Sequence, residues 1–146
     1  MSLNVACHKV LSAAPMQALA VEMIDADGVT RCRLFFSDRE VEHFEGLAGR
    51  VLHATRDFTL VGLRQTENSP PEVDMRPHRH MVSAEHLQIV SGEVEVVDLG
   101  HRLHPGEHIT FPAGQMHHLV AREWMGQRAY FTATWRPALK ECAAVG

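Results

Sequence analysis

The 146-residue sequence is poor in cysteine, in net basic charge and in long apolar runs. Its three cysteines, Cys7, Cys32 and Cys142, are an odd number with no CxxC spacing. That argues against a disulfide scaffold and for free thiols in a reducing compartment. A net charge of -4 and a pI near 6.2 argue against the basic patch of a nucleic-acid binder, so no nucleic-acid partner is expected. No run approaches the ~20 apolar residues needed to span a bilayer, and no membrane partner is expected. Near the start, Lys9, a mildly apolar run from Val10 and Ala18-Leu19-Ala20 imitate a secretion signal. Ser12, Pro15 and Gln17 break that run, and a cytoplasmic protein is expected. Linkers, internal repeats and a second domain are also missing. What the sequence does have is histidine: 11 in all, eight of them between positions 78 and 118.

The first twenty residues lack a period and read as an extended arm, with Pro15 interrupting any helix. Residues 21–24 and 29–36 read as strands joined at Asp25-Ala26-Asp27-Gly28, where Asp-Gly favours a tight turn. In the second strand Thr30, Cys32, Leu34 and Phe36 share a face and Arg31 and Arg33 take the other, which predicts a buried Cys32. Ser37-Asp38-Arg39-Glu40 has a capping-box pattern, and Val41, Phe44 and Leu47 follow at helical spacing, predicting a short helix near 38–48. From position 50 the texture is all-β. Strands are expected at 51–53, 58–65, 76–82, 85–90, 93–99, 108–111, 116–121 and 127–135, separated by Gly and Pro turns. Short strands so closely spaced predict a sandwich or barrel.

His78 and His80 are two apart on an expected strand, so their side chains leave the same face. Glu85 is an odd step further, and a turn through Val82-Ser83-Ala84 would place it at the start of the next strand, facing inward with Leu87 and Ile89. His117 must come from a distant strand, aimed by the turn Pro112-Ala113-Gly114. Three imidazoles and one carboxylate form a ligand set for a divalent transition metal. The remaining histidines are weaker candidates. His86 and His118 are neighbours of candidate ligands and face the other way, while His101, His104 and His108 surround a turn.

The run His78-x-His80-x4-Glu85-x6-Gly92 resembles the first motif of the cupin superfamily, and Gly106-x5-Pro112-x-Gly114-x2-His117 resembles the second. The resemblance implies an all-β, single-domain jelly-roll barrel with His78, His80, Glu85 and His117 as metal ligands. It implies a barrel at 50–136, with 1–49 as an N-terminal arm, hairpin and short helix packed on it and 137–146 as a C-terminal tail. Two positions depart from the pattern: Glu72 stands where a glycine is usual, and Ala121 where an asparagine is frequent.

On such a ligand set an octahedral ion keeps two open positions, which suits Fe, Mn, Ni or Co better than a closed structural Zn site. The expected cofactor is therefore one divalent transition-metal ion, its identity open, and the expected partner is a small oxygen-rich substrate. Glu85 is the ligand able to loosen and act as a base. Arg76, two residues before His78, is the candidate to face inward and hold a substrate carboxylate, unless it pairs at the rim with Glu72 or Asp74. Tyr130, the only tyrosine, is the candidate proton donor, against an ordinary place on the last strand. The reading preferred is a non-haem Fe(II) dioxygenase. Open beside it are a redox-neutral isomerase or lyase using Mn, Ni or Zn as a Lewis acid, and a sensing module without turnover. Barrels of this kind are commonly homodimers, and the arm with strand 29–36 could supply the contact.

Overall fold

The computed structural model describes residues 17–145 and, upstream of them, the strand at 4–6. The strands are β1 (Asn4–Ala6), β2 (Ala18–Asp25), β3 (Thr30–Phe36), β4 (Val41–His43), β5 (Leu47–Ala54), β6 (Thr59–Gln65), β7 (Glu72–Asp74) and β8 (His78–Arg79). There follow β9 (Ala84–Ser91), β10 (Glu93–Val96), β11 (His101–Leu103), β12 (His108–Phe111), β13 (Leu119–Arg122), β14 (Tyr130–Arg136), β15 (Lys140–Glu141) and β16 (Ala143–Val145). No helix among the described residues is long and apolar enough to cross a membrane.

One sheet has the order β12-β9-β14-β6-β5-β4 and a second the order β11-β10-β13-β7. A third, β15-β2-β3, is joined by β8 through β2, and β1 pairs with β16. These crossing connections make the jelly roll. Its core is fed by the inner faces of all three larger sheets, with Val21, Val61, Leu87, Val94, Leu119 and Phe131 among the residues excluded from water. Alternation decides which side chains go inside. In β9, Glu85, Leu87 and Ile89 are buried while Gln88 and Val90 are exposed. In β14, Phe131, Ala133 and Trp135 point in and Tyr130, Thr132 and Thr134 out.

Turn chemistry sets the registers. At 25–28 the Asp25 carboxylate accepts from the Asp27 and Val29 N–H groups, and Gly28 takes a left-handed φ of 82°. Gly92 is required more strictly. Its φ is 72°, and a Cβ there would lie 2.4 Å from Ala129 Cα, so the backbones meet where only glycine fits.

Several expectations need correction. Residues 38–48 form no helix but the hairpin β4–β5, turning through Phe44 and Glu45 at φ 54° and 57°. Both polar members of the apparent capping box are used elsewhere: Ser37 Oγ accepts the Gln17 N–H, and Glu40 pairs with Arg64 of β6 at 2.8 Å. Cys32 is exposed rather than buried. Its face of β3 is covered only from Leu34 onward, by a small cluster with Ala18, Ala20, Phe36 and Cys142. The other face, carrying Phe35 and Arg33, is the one that meets the main core. The strand expected at 76–82 shrinks to β8, because Arg76 is left-handed at φ 55° and Met81 and Val82 lie in an exposed bend. The strand expected at 93–99 ends at Val96 in a single 3-10 turn, Val97–Leu99.

Of the expected arm, residues 1–3 and 7–16 lie outside the described residues, and 18–20 open β2. At the two positions that depart from the motif pattern, Glu72 pairs with Arg122 at 3.1 Å, and Ala121 is fully buried between Val94 and Val73.

Candidate metal centre

His78 and His117 are a cross-strand pair. Each backbone N–H donates to the other's carbonyl, at 3.0 and 2.9 Å, so both side chains leave the same face. His80 is two residues further along that face, and its carbonyl accepts the Gly114 N–H at 2.7 Å. The turn at 112–115 is thereby tied to the strand that carries the first two rings. Glu85 enters from the second residue of β9, opposite Phe111 of β12 and Trp135 of β14.

The result is one cluster. One ring nitrogen from each of His78, His80 and His117 lies within 4.8 Å of the others. Glu85 Oε2 is 3.4 Å from His80 Nε2, and Oε1 is 3.3 Å from His117 Nε2. All four side chains are buried, 1–5% exposed.

Main-chain oxygens orient the rings. His78 Nδ1–H donates to the Arg76 carbonyl at 2.8 Å, His80 Nδ1–H to Glu22 at 3.1 Å, and His117 Nδ1–H to Gln115 at 3.1 Å. A carbonyl can only accept, so each Nδ1 carries the hydrogen and each neutral ring presents its Nε2 lone pair to the centre. Neighbouring rings hold the planes: Phe111 stacks on His117 at 4.2 Å, and Trp135 meets His80 edge-on at 5.7 Å.

The centre fits a cation. His80 Nε2, His117 Nε2 and Glu85 Oε1 are buried with no hydrogen-bond partner, although they face one another. An unsatisfied buried polar atom costs about 1–3 kcal/mol, and three converging on one point are what a coordinated ion would satisfy. The electrostatics agree. Burial pushes the Glu85 carboxyl up, but the His80 and His117 rings outweigh it and hold the acid well below its usual range. Burial alone would lower His80, yet Glu85 raises it. His78 is lowered to about 4, by burial first and then by His117. An ionised carboxylate beside two rings thus draws positive charge, either as a proton on His80 or as a metal ion.

The wall around the cluster is apolar, including Val21, Met23, Leu87, Leu119 and Phe131, with Arg33 at its edge. The cavity they leave is about 20 Å³, close to the space of one water molecule.

Two candidate residues are not brought to the cluster. Arg76 is exposed, because its left-handed backbone breaks the alternation counted back from His78. It serves the site only through its carbonyl. Tyr130 is on the outer face, its ring over Gly62 and beside Arg64. Three of the other histidines are engaged elsewhere: His86 with Thr110 at 2.6 Å, His104 with Glu93 at 2.8 Å, His118 with Asp74 at 2.7 Å. Among the described residues, His78, His80 and His117 are the one group of three that could hold a metal. Sequence reasoning missed Arg33, Phe44 and Trp135 as neighbours of the site. The alternation of Arg33 with Phe35 was visible, but nothing local said which face of β3 turned inward.

Comparison of the coordinates with solved structures decides the fold. KdgF from Halomonas sp. superposes with a TM-score of 0.57 at 22% identity, over 67% of this chain and 84% of that one. An RmlC-like cupin from Shewanella frigidimarina gives 0.52 at 19%, over 68% and 95%. The chain has the cupin fold. A sugar phosphate isomerase of the cupin superfamily from Silicibacter pomeroyi shares it, with a TM-score of 0.54 at 20% identity over 67% and 68%. No protein-family model matches the sequence, and no curated protein matches it. The cluster therefore sits inside a cupin barrel, with rings and carboxylate converging from β8, β9 and the segment ahead of β13.

Proposed function

We propose that this cupin is a metal-dependent oxygenase acting on a small oxygen-rich molecule. The observation that carries this reading is the make-up of the cavity wall. Among its described lining residues, His78, His80 and Glu85 are the only acid–base side chains besides Arg33, and the rest is apolar. An isomerase or lyase needs a base and an acid placed on its substrate, and Tyr130 is on the wrong side of the sheet to be the acid. An apolar, closely packed wall suits oxygen instead.

His78, His80, Glu85 and His117 would hold the metal, and when bound it would supply electrons to oxygen and polarise a chelated carbonyl. The chain's own share is positional. Main-chain carbonyls fix the ring planes, Leu87, Leu119 and Phe131 keep water out, and Glu85 accepts the proton lost by an acidic substrate C–H or O–H.

A redox-neutral reading, with Mn, Ni or Zn, draws support from the sugar phosphate isomerase of the same fold. There Glu85 would have to take and return the same proton. The two readings separate in one experiment: load the protein anaerobically with Fe(II), add a panel of 1,3-diketones, catechols and 2-hydroxy acids, and admit oxygen. Oxygen uptake with a panel member supports the oxygenase. Turnover that is unchanged without oxygen rejects it. The homodimer stands as a proposal through the edge of β3 that no described strand covers, and a monomeric mass in light scattering would reject it.

A further inference from the structure

The inner face of β3 runs from buried Phe35 through half-buried Arg33 to exposed Arg31, so Arg33 sits where the core opens to the surface. It lines the same cavity as His78, His80 and Glu85. Resting on the metal reading above, we propose that Arg33 anchors a carboxylate of the substrate, so that the natural ligand is a small metal-chelating carboxylic acid.

The first support is that Arg33, like half-buried Arg79 but unlike Arg31, Arg64 and Arg122, has no ion-pair partner among the described residues. Arg31 pairs with Asp25 at 3.3 Å, Arg64 with Glu40 at 2.8 Å, and Arg122 with Glu93 and Glu95 at 2.7 and 2.9 Å. Among the described residues, no carboxylate lies within ion-pair distance of Arg33, and its Nε is buried without a hydrogen-bond partner. Glu45 attracts it only from further away, while Arg31 and Arg76 repel it. Burial, followed by those two guanidinium groups, draws its pKa down. A guanidinium taken partly out of water and left uncompensated gains strongly from a bidentate carboxylate.

The second support is orientation. The guanidinium lies 3.9 Å over the Phe44 ring, and Phe44 in turn stacks beside His78 at 5.8 Å between centroids. Stacking fixes the plane of the donor fork before any ligand arrives. Phe44 is held in a left-handed conformation at φ 54°, an uncommon state for a bulky residue. The third support is space. The cavity at the cluster is about 20 Å³, so a chelator can place only its coordinating oxygens there. Its remainder must extend toward the opening, past Arg33, the one cationic side chain on an apolar wall.

The test uses protein loaded with redox-inert Ni(II), the variants R33M and R33K, and two probes. Acetopyruvate is a 1,3-diketone bearing a carboxylate, and acetylacetone is the same diketone without it. Metal content, melting temperature and calorimetric affinity are measured for each protein. The wild type should prefer acetopyruvate. R33M should weaken acetopyruvate by roughly 10- to 100-fold, the size of a charged hydrogen-bonded pair, and change acetylacetone by less than about twofold. R33K, with a point charge and no fork, should recover part of the loss. Equal affinity of R33M and wild type for acetopyruvate would overturn the proposal. So would a parallel loss of both probes with a lower melting temperature, which would make Arg33 a packing partner of Phe44. A wild type without stoichiometric metal defeats the metal reading itself and this inference with it. Stoichiometric metal with a carboxylate preference independent of Arg33 defeats the inference alone.

Discussion

Replacing Glu85 by glutamine changes one charge and almost no volume, and the structure gives this substitution a larger consequence with metal than without. In the metal-free protein the carboxylate is buried beside His80 and His117 at 3.4 and 3.3 Å. A glutamine amide in the same place can donate to either Nε2 lone pair, both otherwise unpartnered. The substitution also takes away the anion that His80 and His117 stabilise, and removing one partner of a buried pair is destabilising, a loss that the amide's hydrogen bond offsets in part. The metal-free variant should therefore melt a few degrees below the wild type. With metal, the variant loses the only anionic ligand of four. Disturbing partners outside the ligand shell costs about 10- to 100-fold in metal affinity, so removing a direct ligand should cost about 100-fold or more, near 3 kcal/mol. A metal bound only to the folded state passes that loss on to stability. For a domain of this size it amounts to roughly 10 °C in melting temperature at fixed metal. The assay is differential scanning calorimetry of both proteins, with and without excess Ni(II), beside metal content by mass spectrometry. If E85Q shifts the melting temperature equally in the two conditions, Glu85 is a packing residue and the reasoning about a cation centre is refuted.

Two further predictions concern the frame around the centre. His43 is buried against Phe35 at 4.1 Å with neither ring nitrogen hydrogen-bonded, and burial, then Arg33, lower its pKa to about 3. The unfolded chain takes up a proton near pH 6.5 and the folded chain does not, so stability falls as pH drops below about 6.5. By pH 5 this loss is about 2 kcal/mol, and chemical denaturation should show the wild type losing about that much more stability than H43F. Gly92→Ala and Gly28→Ala both place alanine at a positive φ, yet only the first meets backbone, 2.4 Å away. Urea unfolding should give about 1 kcal/mol for Gly28→Ala and at least twice that for Gly92→Ala. Equal costs would show that the Ala129 segment gives way.

The centre was legible because its residues report on themselves. His78 and His80 share a face by period, Glu85 starts a strand whose alternation continues in Leu87 and Ile89, and glycines or prolines mark the turns between. The surroundings were not legible, because single backbone events decide them. One left-handed residue turns Arg76 out to solvent, and no count along the chain foresees it. The helix expected at 38–48 failed for a related reason. Its local pattern was sound, but Glu40 finds Arg64 across the sheet and Val41 joins a strand pair, so long-range partners outweigh a local cap. Arg33 was seen to alternate with Phe35, but which of the two faces of β3 becomes the wall depends on what covers the other. That cover, from Cys142 and Ala18, comes from opposite ends of the chain.

The main-chain oxygens behind His78, His80 and His117 have a consequence for redesign. Since no neighbouring side chain supplies those three acceptors, the lining at Val21, Met23, Leu119 and Phe131 can be exchanged without re-aiming the imidazoles. The shape of the cavity and the aim of the three rings are then separable traits in this scaffold, open to independent variation in the laboratory.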